Sequence, residues 1–87
     1  MTLENLPEDV KKIIGDKRVE DVAIDVLYKN WQGQVGNRKI IPLSTSYGKT
    51  EYHKSEQWLL RVWDVDKNDY RTYALRDIQK WNFPSKD

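Results

Sequence analysis

Residues 57–64 read QWLLRVWD, and the alternation in this segment is the strongest indication of the fold. Successive side chains of a strand point to opposite faces. Large apolar groups therefore fall on both faces of the segment, with Trp58, Leu60 and Val62 on one and Leu59, Arg61 and Trp63 on the other. A strand with two apolar faces is expected where a sheet curls onto itself or is covered by a helix.

The segments on either side alternate in the same way and predict further strands. These strands lie at residues 21–29, 38–43 and 70–75, and residues 76–81 follow as a helical turn or a short last strand. Turn-forming residues separate the strands, namely Gly33, Gly36 and Asn37 after the first and residues 66–69 before the fourth.

The second predicted strand ends in a proline and is followed by a polar segment. Pro42 predicts an edge position or a bulge there, because proline lacks the N–H group that a sheet ladder needs. Residues 44–56 predict a long loop. Long loops on small β domains are frequent binding sites.

The N-terminal residues predict a short helix. Asn5 is the candidate cap, Pro7 suits the first helical turn, and Gly15 is the expected end. The helix carries one apolar stripe, made of Val10, Ile13 and Ile14. A helix this short needs a surface to pack on, and we expect it to cover an open end or edge of the sheet.

Together these segments predict a mainly β (α+β) domain. It is a small barrel or strongly bent antiparallel sheet of four or five strands with a short N-terminal helix. The helix and a linker occupy residues 1–20, the sheet residues 21–82, and a flexible tail residues 83–87. The residues expected in the core are Ile24, Val26, Trp58, Leu60 and Ile78.

The composition bounds the class of protein. Eighty-seven residues suffice for one small domain. Because the chain contains no cysteine, it has neither a disulfide framework nor a thiolate zinc site. No apolar run approaches the length of a membrane-spanning helix, and the N-terminus lacks the apolar core of a secretory signal. We therefore expect a cytoplasmic globular domain that does not enter a membrane.

Charges and aromatic residues are unevenly distributed. Residues 1–27 carry a net charge of −3, whereas residues 28–81 carry +4. All ten aromatic residues lie at or beyond Tyr28. Basic groups interleaved with aromatic rings suit phosphate contact and base stacking. The alternative is that the rings simply build the core of a small β domain.

The sequence offers little for catalysis or metal binding. His53 is the only histidine, and with no second histidine or cysteine it makes no metal site. Asp64, Asp66 and Asp69 lack the glycine and the closing glutamate of a calcium loop. No nucleophile elbow or glycine-rich phosphate loop is present. We predict a non-catalytic protein without cofactor or metal; a nuclease or phosphodiesterase that uses His53 is the minor alternative.

Three arginines lie on the predicted strands. Arg38 opens the second strand, Arg61 lies within the third and Arg71 within the fourth. A guanidinium group on a partly enclosed strand face needs an acidic partner or an anionic ligand. The sequence leaves these two alternatives open.

Four strings in the same order resemble the WYL domain family. They are Tyr28-Lys29-Asn30, residues 38–42 (RKIIP), residues 57–60 (QWLL) and residues 71–78 (RTYALRDI). The resemblance covers about residues 22–81 and implies an Sm-like small β-barrel with an N-terminal helix. It also implies a ligand-sensing module, of the kind found in bacterial transcription factors and phage-defence systems, that binds nucleic acids or nucleotides.

The chain departs from the family pattern in two ways. Leu59 stands where the family has its middle tyrosine. The segment before the first strand is also too short for a helix-turn-helix domain, so we expect a chain that is not a complete transcription factor.

The ligand site that the resemblance implies combines phosphate-binding and stacking side chains. By motif position Arg38, Arg71 and Arg76 match basic residues of the family, and Trp58 matches the first residue of its name-giving motif. With a histidine and two tyrosines added, the predicted site is Arg38, Tyr47, Tyr52, His53, Trp58, Arg71 and Arg76. We predict a regulatory module that binds a nucleotide or single-stranded nucleic acid.

The alternative function is a protein-interaction or oligomerisation module without a nucleotide ligand. Exposed strand edges promote assembly, and tryptophan and tyrosine are common in binding hot spots. In that case Trp31, Trp63 or Trp81 would be buried against a second copy or another protein partner.

Overall fold

The computed structural model describes residues 6–51 and 54–83. The elements in chain order are α1 (Glu8–Ile14), α2 (Val19–Val22), β1 (Ile24–Lys29), β2 (Val35–Gly48), β3 (Gln57–Asp64), β4 (Asp69–Ala74), a 3-10 turn (Leu75–Asp77) and β5 (Ile78–Asn82). The strands form one antiparallel sheet in the order β4-β3-β2-β1-β5. The predicted mainly β fold is confirmed as a bent sheet that does not close into a barrel.

The bend of the sheet is associated with the long strand β2. Residues 35–40 of this strand pair with β1, whereas residues 40–48 pair with β3. The register with β3 shifts between Pro42 and Ser44, where proline supplies no N–H to the ladder. An edge position or a bulge is predicted at Pro42, and the register shift agrees with the second of these. The strand nevertheless continues to Gly48, so the predicted loop over residues 44–56 begins later than expected.

The turn between β1 and β2 is organised by Asn30. Its side-chain Oδ1 accepts hydrogen bonds from two backbone N–H groups of the turn, both at 2.9 Å. Gly33 has a φ of 85°, in the left-handed region that favours glycine. The predicted turn residues Gly36 and Asn37 instead lie in β2, where they pair with β1.

The inner face of the bent sheet holds the main core. Tyr28 of β1 stacks on Tyr73 of β4 with ring centroids 4.0 Å apart, although two strands separate β1 from β4. This contact requires the sheet to curl onto itself. The buried residues of this inner cluster are Ile24, Val26, Tyr28, Ile40, Leu60, Val62, Tyr73 and Ile78. They include all the predicted core residues except Trp58.

The prediction that Trp58 belongs to the core is wrong. Its side chain is 57% exposed. The alternation of β3 points Trp58 to the same face as Leu60, but the pairing of β3 with β4 begins only at Leu59. Trp58 therefore lies beyond the end of the inner cluster.

A second core, the outer cluster, lies between α1 and the opposite face of the sheet. Its buried residues are Leu6, Val10, Ile14, Ala23, Ile41 and Trp63. Helix α1 therefore covers a face of β2 and β3, rather than an open end or edge as predicted. The two clusters together explain why β3 is apolar on both faces.

The ends of α1 agree only in part with the prediction. Gly15 follows the helix as expected, with a φ of 63°. Pro7 occupies the N-cap position and makes no side-chain cap hydrogen bond, while the predicted cap Asn5 lies outside the described residues. Ile13, predicted to belong to the apolar stripe, is 43% exposed.

Candidate functional site

A cleft lies beside the end of β3 and the edge strand β4. Its volume is about 730 Å³. It combines inner-face residues with Arg61, Tyr70 and Thr72, which lie on the outer face of β3 and β4. The described residues that line it are Tyr28, Asn30, Trp31, Arg38, Thr50, Glu51, Arg61, Asp64, Lys67, Tyr70, Arg71, Thr72 and Tyr73. Four of these side chains are basic and two are acidic, so the described lining has a net positive charge.

Asp64 forms the buried acidic part of the cleft, with only 1% of its surface exposed. Its Oδ2 accepts a hydrogen bond from the Tyr73 hydroxyl at 3.3 Å, and its Oδ1 accepts one from the backbone N–H of Lys67 at 3.0 Å. The carboxylate is thus satisfied within the chain. It holds the Tyr73 hydroxyl and the turn after β3 in place.

Arg38 is a half-buried cation on β2, opposite Val26 of β1. Its Nη1 donates a hydrogen bond to the backbone oxygen of Asn37 at 3.0 Å. Among the described residues, no carboxylate lies within 4.0 Å of its guanidinium nitrogens. Gly36 provides the space for this group, because a Cβ at that position would lie 2.8 Å from Arg38 Nη1.

The other two arginines of the cleft have partners within the chain. Arg71 Nη1 donates hydrogen bonds to Asp69 Oδ2 at 2.9 Å and to the backbone oxygen of Tyr70 at 2.8 Å. The Arg71 hydrogen bond lowers the pKa of Asp69. Arg61 lies over the ring of Tyr70, 4.3 Å from its centroid, in a cation–π contact. Within residues 6–51 and 54–83 each arginine thus has a different environment: an acid for Arg71, a ring for Arg61, and neither for Arg38.

A second, smaller cavity, the notch, lies at the opposite end of β3. It has a volume of about 340 Å³ and is lined by Tyr47, Gln57, Trp58, Leu75 and Arg76. The rings of Tyr47 and Trp58 meet edge to face, with centroids 5.4 Å apart. Both side chains are more than half exposed. The notch therefore presents two aromatic rings to the outside of the chain.

The polar groups of the notch are connected through Ser55. The Nε2 of Gln57 donates a hydrogen bond to the Ser55 backbone oxygen at 3.2 Å, and Arg76 Nη2 donates one to Ser55 Oγ at 3.4 Å. Gln57 is only 7% exposed, and its Oε1 has no hydrogen-bond partner in the described part of the chain. A buried acceptor left unpaired costs about 1–3 kcal/mol.

The stacked tyrosines of the inner face ionise with difficulty. Burial raises the pKa of Tyr73, and the negative charge of Asp64 raises it further. Burial also raises the pKa of Tyr28. For both tyrosines the folded pKa exceeds the unfolded value of 10.0. The contribution of each neutral hydroxyl to stability is therefore complete below pH 10.0, and it is lost as the pH rises through the folded pKa.

We therefore expect Tyr73→Phe to flatten the alkaline pH dependence of stability. The free energy of unfolding of the wild-type chain should fall as the pH rises above about 10, and it should fall less steeply in the variant. Urea denaturation at a series of pH values between about 8 and 11 measures both slopes. Tyr47→Phe, at an exposed tyrosine, is the matched control. Equal slopes for Tyr73→Phe and wild type would contradict the expectation.

The structure divides the predicted ligand site between the two cavities. Arg38 and Arg71 line the cleft, whereas Tyr47, Trp58 and Arg76 line the notch. The predicted site residues Tyr52 and His53 lie outside the described residues.

Two buried polar residues of the cavities were missed by the sequence reasoning. Asp64 could have been found, because the alternation of β3 places it on the same face as Leu60 and Val62, where a carboxylate is unusual. Gln57 gives no such signal, since its burial depends on the segment around Ser55 that precedes β3.

Metal-ligand clusters and membrane-spanning helices are both absent from residues 6–51 and 54–83. No group of three or more histidine, cysteine, aspartate or glutamate side chains in these ranges could hold a metal ion. No helix there is both long enough and apolar enough to cross a membrane.

Comparison with known proteins found no protein-family model that matches the chain and no significant match among curated proteins. The fold and the two cavities define a small, mainly β domain with a basic cleft beside its edge strand β4.

Proposed function

We propose that the cleft binds single-stranded nucleic acid or a nucleotide, and that the chain is a non-catalytic, regulatory binding module. The observation that carries this proposal is the environment of Arg38. Arg38 is a half-buried residue whose guanidinium group has no acidic partner among the described residues, and such a cation favours an anionic ligand, because a counter-charge stabilises it.

The chemistry around Arg38 favours a phosphate that carries a base. Lys67 and Arg71 add positive charge to the same lining. Trp31, which is 61% exposed, adds an aromatic surface on which a base can stack. The resemblance to the WYL family points to the same class of ligand and stays a prediction.

Salt dependence of binding tests this proposal on the unmodified chain. A fluorescently labelled octamer of deoxycytidine is titrated by anisotropy at several salt concentrations. If Arg38, Lys67 and Arg71 each contact one phosphate, log K should fall against log salt concentration with a slope of about −2. Absence of binding at low salt, or an affinity that salt does not change, would contradict the proposal.

Self-association is a second candidate function, favoured by an aromatic pair at the end of the edge strand β5, with Trp81 in the strand and Phe83 directly after it. Trp81 and Phe83 stack with ring centroids 6.3 Å apart and are 38% and 70% exposed. A second copy of the chain could pair along this edge and cover both rings. Trp63 does not fit the interface predicted from the sequence, because it is buried in the outer cluster.

We expect Trp81→Ser to abolish this self-association if it occurs. Sedimentation equilibrium of the wild-type chain should then give a mass that rises with concentration above the 10.4 kDa of one chain. The variant should stay at the mass of one chain, because serine removes the ring that a second copy would cover. A wild-type chain that remains at 10.4 kDa at all concentrations would contradict this candidate.

A further inference from the structure

We infer that the notch is a second, base-stacking subsite for the ligand of the cleft. The ligand would then be a single strand several nucleotides long rather than a mononucleotide. This inference rests on the proposed function of the cleft, and it adds a second contact site and a minimum ligand length.

The two cavities lie at opposite ends of the same strand. Trp58 in the notch and Asp64 in the cleft are six residues apart on β3, which corresponds to about 20 Å. Because six is an even number, their side chains point to the same face of the sheet. A ligand that reaches both cavities must therefore span about 20 Å, and because the inner cluster fills the face between them, it can pass only along the edge of the sheet.

The edge strand β4 connects the two cavities. Arg71 of β4 lines the cleft, and Arg76, in the 3-10 turn that follows β4, lines the notch. Among the described residues β4 is paired on one side only, with β3. A phosphate backbone that follows the free edge of β4 would meet one arginine at each end.

The distance between the cavities sets a minimum ligand length. Nucleotides of a stacked strand are spaced by roughly 3.4 Å, so a span of 20 Å requires about six of them, and somewhat fewer if the strand is extended. A dinucleotide can occupy one cavity but cannot bridge the two. An octamer can occupy both at once, and its second contact then forms at the high effective concentration that the first provides.

The lining of the notch suits a stacked base beside a phosphate. The exposed rings of Tyr47 and Trp58 offer a face for stacking, and Arg76 offers a cation for a neighbouring phosphate. Because stacking on aromatic rings tolerates any base, deoxycytidine oligomers serve as the probe.

The test compares a deoxycytidine dinucleotide and octamer by calorimetry on wild type, Trp58→Ala and Ile13→Ala. Wild type should bind the octamer at least tenfold more tightly than the dinucleotide. Trp58→Ala should weaken octamer binding roughly tenfold by removing the ring on which a base stacks, and should leave dinucleotide binding unchanged. Ile13→Ala truncates an exposed apolar side chain outside both cavities and should change neither affinity.

Three results would overturn the inference, and they differ in what they say about the cleft. A dinucleotide that binds as tightly as the octamer, or a Trp58→Ala variant that weakens both ligands equally, overturns the two-subsite inference while nucleic-acid binding stands. If neither ligand binds wild type, the proposed function fails and the inference fails with it.

Discussion

Replacement of Arg38 by alanine is expected to reduce the affinity for the deoxycytidine octamer about ten- to a hundredfold, because a hydrogen bond to a charged group contributes about 1.5–3 kcal/mol. The fold should be preserved, since the hydrogen bond that Arg38 makes within the chain is to the adjacent backbone oxygen of Asn37. Fluorescence anisotropy at low salt measures the affinity, and far-UV circular dichroism checks the fold.

Two further variants separate the role of the guanidinium group from an effect of net charge. Arg18→Ala removes the same charge from an exposed residue that pairs with Asp21 and lines neither cavity. It should change the affinity less than twofold. Arg38→Lys keeps the charge but loses the planar guanidinium group, and we expect an affinity between those of wild type and Arg38→Ala. Equal losses in Arg18→Ala and Arg38→Ala would show that only the overall charge matters.

Gly36→Ala provides a test that leaves Arg38 in the chain. The new methyl group would lie 2.8 Å from Arg38 Nη1 and must displace the end of that flexible side chain. Because the displaced atoms belong to a side chain and not to the backbone, the fold should tolerate the change. We expect weaker octamer binding at unchanged stability, which identifies Gly36 as a positioning residue for Arg38.

Replacement of Ile40 by alanine is expected to destabilise the whole domain. Ile40 is fully buried in the inner cluster, at the point of β2 that pairs with both β1 and β3. Truncation of a buried isoleucine typically costs about 2–5 kcal/mol. Since small domains are stable by about 5–15 kcal/mol in total, urea denaturation should show a large fall in the unfolding midpoint.

Ile13→Ala is the matched control for this prediction. Ile13 lies on α1 and is 43% exposed, so its truncation should change the free energy of unfolding by less than about 0.5 kcal/mol. Comparable losses for Ile40→Ala and Ile13→Ala would contradict the placement of the inner cluster.

Local sequence signals predict most of the sheet. The alternation in residues 57–64 predicts burial on both faces of β3, and the inner and outer clusters confirm it. Pro42 predicts an edge position or a bulge, because proline interrupts the hydrogen-bond ladder of any strand, and the register of β2 with β3 shifts beside it. Such signals depend on a few neighbouring residues, and they can therefore be read without knowledge of the whole fold.

The predictions that are wrong concern properties that depend on the whole sheet. Alternation gives the face to which Trp58 points but not how far the core extends along β3, and Trp58 lies past its end. The short helix α2 is missed because four residues do not establish a helical period, and residues 21–22 also fit a strand pattern.

The candidate site could be predicted only in part for the same reason. Its arginines and aromatic rings are visible in the sequence, but their separation into a cleft and a notch depends on where β3 and β4 begin and end. In the fold Asp69 pairs with Arg71, whereas Arg38 has no carboxylate partner among the described residues. A linear pattern contains no information about that choice of partner.

Chemical-shift mapping by NMR tests binding in the cleft without any substitution in the chain. The ¹⁵N-labelled chain is titrated with the deoxycytidine octamer at low salt. We expect the largest shifts at backbone amides of residues 36–38 and 70–73, with little change along α1. Shifts confined to β5, or none at saturating ligand, would contradict binding in the cleft.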